Sequence, residues 1–302
     1  MRRDAVLTGA VLVLAAFVSA CSGAAPEPTP RPAVVIRPGS GEFTFDGYAP
    51  LRDHPVTVFY EAPADPATAQ ILIVMHGVGR NADDYRADWH EYVQSRNVLV
   101  LAPEFSEKEY PGTSYALGNM LGDDGHVRPP EQWSFHVVEA LFDFVVHDVG
   151  SSARDYALFG HSAGAQFVHR FVEFMPGQRA RVAAAANAGW YTMPDEAAAF
   201  PYGLGGAPVT VQGLAPVFAA NFVVLLGSND VDPENESLRR DPGSDAQGQN
   251  RFDRGTKFYA TARDVAAADA APFRWRMTVA PGIAHDHTAM ARVAAPLLLG
   301  GG

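Results

Sequence analysis

The chain has 302 residues, of which 47% are hydrophobic and 19% charged, enough apolar material for one large buried core or two small ones. It carries 34 acidic against 23 basic side chains, a net charge of −11, with no clustered Lys and Arg, which excludes a nucleic-acid-binding surface. The acidic excess reads as plain solubility.

Arg2 and Arg3 precede an apolar stretch from Ala5 to Ala20. The stretch is too short to cross a membrane comfortably and reads as a signal peptide over residues 1–20. Val18-Ser19-Ala20-Cys21 resembles the lipobox of bacterial lipoproteins. That resemblance implies cleavage before Cys21, acylation of its thiol and attachment to a membrane of the bacterial cell envelope. An ordinary signal peptide that happens to carry a Cys is the plainer alternative. Cys21 is the only Cys in the chain, so an exported product has no disulfide and keeps its one thiol at the cleavage site. Residues 21–40, rich in Pro and small residues, read as a semi-extended tether, and residues 41–302 as one domain.

Within that domain "HPVTVFYE" alternates as a half-buried strand does. "ILIVMHG", "NVLVLAPEF", "DYALFGHS", "NFVVLLGSND" and "RWRMTVAPG" are more continuous, as strands covered on both faces are, and "RVAAAANAG" fits the series with smaller side chains. Between them lie helical patterns: "NADDYRADWHEYVQSR", "PEQWSFHVVEALFDFVVHDVG", "SAGAQFVHRFVEFMPG", "RFDRGTKFYATARDVAAADA" and "TAMARVAAPLLL". The alternation predicts an α/β fold, a mostly parallel sheet with helices on both faces. Residues 193–216 and 231–250 read as long loops after strands, at the sheet edge where ligand sites form in such folds.

The segment "LFGHSAGA" places Ser162 at a strand-to-helix junction, with Gly160 and Gly164 two residues to either side. Such a turn is sharp enough to admit only small residues there, and it lifts the hydroxyl above the sheet. The backbone N–H of Ala163 then opens the following helix and is available to a developing oxyanion. Serine needs a base oriented by a third group. The loop after the last strand supplies His285, and the turn after "NFVVLL" supplies Asp230, or, two residues on, Asp232. The tight "GSND" turn favours Asp230, because Pro233 biases Asp232 to an extended path away from the sheet. A second oxyanion donor is expected from the N–H of Val78, after "ILIVMHG", with His76 as a structural turn residue.

Ser, then acid, then His is the chain order of the α/β-hydrolases. The domain resembles that superfamily from "ILIVMHG" to "GIAHDH". Through "HGVGRNADDY", "GHSAG" and "PGIAHDH" it is most similar to secreted esterases of the polyhydroxybutyrate-depolymerase and feruloyl-esterase kind, although it has neither disulfide cysteines nor an appended polymer-binding module. The resemblance implies a serine hydrolase cleaving a small or polymeric carboxylic ester through an acyl-enzyme, with no cofactor. A peptidase or thioesterase of the same fold, and a non-catalytic binding lipoprotein, are the rival readings.

Other residues admit plainer roles. His161 reads as packing in the elbow, and His169 as structural. His285 and His287 could hold a metal, but no third ligand has the right spacing, so none is expected. "DVDPENE" lacks the Gly and terminal Glu of a calcium loop. Trp190 and Tyr191 suit a buried core and a substrate wall equally. Arg239, Arg240, Arg251 and Arg254 are expected to pair with nearby acids at the surface.

Overall fold

The computed structural model describes residues 36–300. Cys21, the signal peptide and most of the tether lie outside these residues. The strands are β1 (Gly39–Phe45), β2 (Val56–Ala62), β3 (Gln70–Met75), β4 (Val98–Glu104), β5 (Tyr156–His161), β6 (Ala180–Ala186), β7 (Phe222–Gly227) and β8 (Arg276–Ala280). The helices are α1 (Ala82–Ala87), α2 (His90–Arg96), α3 (Phe135–Asp148), α4 (Ala163–Phe174), α5 (Ala215–Phe218), α6 (Pro242–Asp245), α7 (Arg251–Ala268) and α8 (His287–Leu298).

The strands form one sheet in the order β1-β2-β4-β3-β5-β6-β7-β8. The β1–β2 and β2–β4 pairs are antiparallel, and every later pair is parallel. Alternate residues of the central strands go to opposite faces, as the two-residue period requires. Ile71, Ile73 and Met75 of β3 belong to one core cluster together with side chains of α3, α4 and α7. Leu72 and Val74 belong to a second cluster with those of α1, α2 and α8. Each strand is apolar on both sides because each side carries a helical layer.

The parallel strands β3, β5, β6, β7 and β8 all end at the same edge of the sheet. Their trailing loops therefore gather in one place, as they do in open α/β sheets generally.

Three local features depart from the sequence reading. "GSGEFTF" forms a strand, β1, that was not among the strands read from the sequence, with Phe43 and Phe45 buried against Phe144. The alternation there is short and lies beside a Pro-rich stretch that masks it. The helix predicted across residues 81–96 is two helices. The chain turns at Asp88–Trp89, where Trp89 packs edge-on to Phe159 and Asp88 is drawn to α8. The two long loops each hold a short helical turn, Val211–Leu214 at the end of the first, running into α5, and α6 within the second. In α6 the Asp241 side chain accepts from the Ser244 backbone, and the Ser244 hydroxyl engages the Asp241 N–H.

Candidate active site

Ser162 sits between β5 and α4 with φ +58° and ψ −115°, a backbone conformation that non-glycine residues avoid. Close packing around the turn holds it there. A Cβ added to Gly160 would fall 2.3 Å from the Gly164 carbonyl oxygen. One added to Gly164 would fall 2.1 Å from the Met75 carbonyl oxygen. The Ser162 N–H donates to the Ala186 carbonyl at 3.0 Å, tying the turn to β6.

His285 follows β8 and Asp230 follows β7. His285 Nε2 lies 3.0 Å from Ser162 Oγ, and His285 Nδ1 lies 2.7 Å from Asp230 Oδ2. The structure thus brings together three residues up to 123 positions apart in the chain. With Nδ1–H given to the carboxylate, Nε2 faces the hydroxyl as an acceptor, the tautomer a general base requires. Asp232 is exposed and turns back on its own loop, accepting from the Glu234 N–H at 2.9 Å.

The two loops carrying Asp230 and His285 are joined to each other. The Asn229 N–H donates to the Ile283 carbonyl at 2.9 Å, and the Gly282 N–H donates to the Ser228 hydroxyl at 2.7 Å. Asn187, just past β6 and at φ +51°, spans both loops: its Oδ1 accepts from the Gly227 N–H at 2.7 Å and its Nδ2 donates to the Ala284 carbonyl at 3.1 Å. Gly227 permits the approach, since a Cβ there would meet the Ile283 carbonyl oxygen at 2.4 Å.

Arg251 is almost fully buried, contrary to the surface pairing expected of it. Its Nη1 lies 3.4 Å from Asp230 Oδ1, and its Nη2 donates to Ser237 Oγ at 2.8 Å and to Asn235 Oδ1 at 3.2 Å. Burial draws the guanidinium below its ordinary pKa, and Asp230 pulls it back up. Arg254 is buried as well, donating to the Gly189 carbonyl at 2.7 Å. Sequence alone places these arginines outside because the acids near them in the chain suggest solvated pairs. In the fold, the 231–250 loop returns over them and uses them as internal donors.

Val78 and Ala163 border the serine. The Val78 N–H has no protein partner among the described residues, and the Ala163 N–H begins α4, where no preceding turn offers a carbonyl. The Val78 loop is braced by His76, whose Nδ1 lies 2.8 Å from the Gly77 carbonyl and whose Nε2 accepts from the Phe105 N–H at 3.0 Å. Burial lowers the His76 pKa to about 3, so the ring stays neutral and can accept. Tyr115 stacks on His76 and donates to its carbonyl at 2.9 Å. Arg80, not singled out in the sequence, ties the same loop to residues 105–112 through the Phe105, Tyr110 and Gly112 carbonyls.

A cavity of about 240 Å³ opens on Ser162 and is bordered by Trp190, Gln166, Leu238, Arg80 and Arg239. The guanidinium groups of Arg170 and Arg239 lie over the Trp190 ring, at 4.1 and 5.1 Å from its centre. Tyr191 does not share this wall. It is fully buried, stacked on Phe258 at 4.4 Å, because the following residue points to the other side of the backbone. His161 is buried with Nδ1 3.0 Å from the Tyr85 hydroxyl. His169 is buried on α4, its Nδ1 3.0 Å from the Ala165 carbonyl and its Nε2 accepting from Thr192 N–H at 3.1 Å. His285 and His287 turn to different partners, Asp230 and Asp88.

No family model and no curated protein matches the chain. Solved structures do. Poly(aspartic acid) hydrolase-1 from Sphingomonas sp. KT-1 is 44% identical with a TM-score of 0.84, over 87% of this chain and 99% of that one. The poly(3-hydroxybutyrate) depolymerase LpqC from Bordetella parapertussis is 32% identical with a TM-score of 0.81, over 86% of this chain and 90% of that one. An S-formylglutathione hydrolase from Agrobacterium tumefaciens, 12% identical with a TM-score of 0.54 over 86% of this chain and 92% of that one, shares the fold.

Proposed function

The chain belongs to the α/β-hydrolase family, and from that premise we propose that it is a serine hydrolase acting on a carboxylic ester through Ser162, His285 and Asp230. His285 takes the Ser162 proton as the hydroxyl attacks the acyl carbon. Asp230 keeps the imidazole in the required tautomer and stabilises its cation. The Val78 and Ala163 N–H groups stabilise the tetrahedral oxyanion, and His285 returns the proton to the departing group. Water then attacks the acyl-enzyme by the same route, restoring Ser162.

The observation that carries this reading is the unbroken run of contacts Ser162 Oγ–His285 Nε2 at 3.0 Å and His285 Nδ1–Asp230 Oδ2 at 2.7 Å, beside a cavity. A complete constellation favours an enzyme over a non-catalytic binding protein. Of the two more similar proteins, one is named for poly(3-hydroxybutyrate), a polyester, and the other for poly(aspartic acid), which is joined by amides. The same machinery cleaves either bond, so a small or polymeric substrate with an acyl–oxygen or acyl–nitrogen bond fits, the ester being the easier.

The test is turnover of short p-nitrophenyl esters by the soluble domain and by Ser162→Ala. Loss of the nucleophile is expected to cost on the order of 10⁴- to 10⁶-fold in kcat. A folded Ser162→Ala protein with near-normal turnover would sink the mechanism.

We further propose that the protein is exported and held in the cell envelope by lipid on Cys21, on the lipobox resemblance. One acyl chain binds a membrane weakly, and stable attachment needs the several that lipoproteins acquire. Mass spectrometry of the mature N-terminus should find a modified Cys21; an unmodified start elsewhere rules the anchor out.

A further inference from the structure

Ser162 stands between two cavities, and the position of the base decides what each one holds. Val78, Ser162 and Ser237 border both. The larger, about 240 Å³, continues over Ala163 and Trp190. The smaller, about 160 Å³, continues over Tyr85, His161, His285 and His287. In acyl transfer the protonated base hands its proton to the departing heteroatom, so the leaving group must lie on the side of the base. His285 borders the smaller cavity alone. The acyl part therefore occupies the larger cavity, and the departing alcohol or amine the smaller.

The smaller cavity holds one charge-bearing side chain that the triad does not use. His287 Nδ1 contacts Asp88 Oδ2 at 2.5 Å, and the other Asp88 oxygen accepts the Thr288 hydroxyl at 2.6 Å. The His287 ring stacks on Tyr85 at 4.4 Å. With Nδ1 committed to Asp88, Nε2 is the ring's remaining polar atom, and it has no partner among the described residues. We propose that His287 is a leaving-group subsite: its Nε2–H binds a carboxyl oxygen carried by the departing alcohol or amine, and so selects substrates with such a group next to the scissile bond. The inference rests on the Ser162–His285 reading above.

Charge supports the geometry. Asp88 raises the His287 pKa above the ordinary imidazole value against the opposing effect of burial, and Asp286 and Asp84 add to the rise. The groups around the ring are Asp84, Tyr85 and Asp88 from the α1–α2 segment, His161 from β5, and His285 and Asp286 from its own loop. His161 offers no competing cation, since burial holds it well below the ordinary value. Once His287 is neutral, Asp88 keeps the remaining proton on Nδ1, and Nε2 becomes an acceptor that cannot bind a carboxyl oxygen.

The test compares the wild-type protein with His287→Phe, which keeps a ring to stack on Tyr85. The substrates are propyl, methoxycarbonylmethyl and carboxymethyl esters of one common acid. They offer no acceptor, a neutral carboxyl oxygen and a free carboxylate on the departing alcohol. The readout is kcat/KM for each carboxyl-bearing ester divided by that for the propyl ester, a ratio in which the power and titration of the triad cancel. The ratio is expected to fall roughly tenfold in His287→Phe, the worth of a charge-assisted hydrogen bond. A larger fall for the carboxymethyl ester assigns the subsite to an anionic chain end, and an equal fall to a neutral carboxyl group within a chain. Ratios unchanged within about twofold for both esters overturn the proposal. Independently of the variant's folding, the wild-type ratios should decline as rising pH carries His287 through its raised pKa and removes its charge, and a flat profile from neutral to alkaline pH also overturns it. Absence of turnover of all three esters by the wild-type protein is a different failure, that of the activity itself, and takes the subsite with it.

Discussion

Ser162 and the two residues that meet it, His285 and Asp230, are held by different means. Ser162 is placed by six consecutive residues, from Phe159 to Gly164: a strand, a turn at φ +58° and the first residues of a helix, locked by glycines that let backbone touch backbone. Asp230 and His285 are placed by side chains borrowed from elsewhere. Arg251 comes from the start of α7, and Asn187 from the end of β6. Local chain geometry can fix one side chain's direction, but a hydrogen-bonded pair from separate loops needs cross-links that hold the loops in register. The turn at Ser162 is therefore a property of a short peptide in its sheet, whereas the Asp230–His285 pair is a property of the assembled fold.

Variants that cut only one of these supports separate the two. The largest effect is expected at the acid itself. Asp230→Asn should lower turnover on the order of 10⁴-fold, while Asp232→Asn stays near the wild-type rate. Side-by-side kinetics decide, and a crippled Asp232→Asn beside a healthy Asp230→Asn would reverse the assignment.

Next comes Arg251→Met, which leaves the Asp230 carboxylate buried without its cationic neighbour. Removing one member of a buried pair costs about 3–5 kcal/mol, so the urea midpoint should fall markedly and turnover with it. A midpoint at the wild-type value would show that Asp230 needs no such partner.

Asn187→Ala removes two hydrogen bonds that bridge the acid and base loops, and should cost about 1–3 kcal/mol of stability. Its kcat should drop more than its KM rises, because the base is misaligned while the cavity is intact. An unchanged kcat would mean that the loops hold their register without it.

The smallest effect concerns the elbow side and depends on pH. Burial holds His169, on the helix that follows Ser162, well below the ordinary imidazole value of 6.5. The unfolded chain then takes up a proton before the folded chain does. Stability contributed by the neutral ring is complete at higher pH and is lost on acidification below about pH 6.5, by up to about 1.4 kcal/mol per pH unit. His76, at about 3, acts in the same direction. His169→Gln should flatten this slope in urea titrations, and an unaltered slope would place the acid sensitivity elsewhere.

Much of this was legible in the residues, to different depths. The apolar runs of β3, β5 and β7 announce strands because both faces are buried, so periodicity and length suffice. β1 was hidden because only its last residues alternate and a Pro-rich stretch adjoins it. The single helix read across residues 81–96 breaks at Asp88, whose partners His287 and Thr288 lie about 200 positions away, so no local pattern could mark the break. Tyr191 and Trp190, adjacent and both aromatic, part company because one faces the core and the other the cavity, a matter of backbone direction after β6.

Sequence alone determined the alternation of strands and helices, the glycine-flanked turn at Ser162 and the order in which serine, acid and histidine follow one another. These depend on steric limits and periodicities that span a few residues at a time. Only the tertiary structure decided that Arg251 lies inside against Asp230, that Asn187 joins the two loops, and that His287 turns to Asp88 while His285 turns to Asp230. Those contacts form when the parallel strands deliver their trailing loops to one edge of the sheet, and burial there gives each charged group a partner that its neighbours in the chain do not reveal.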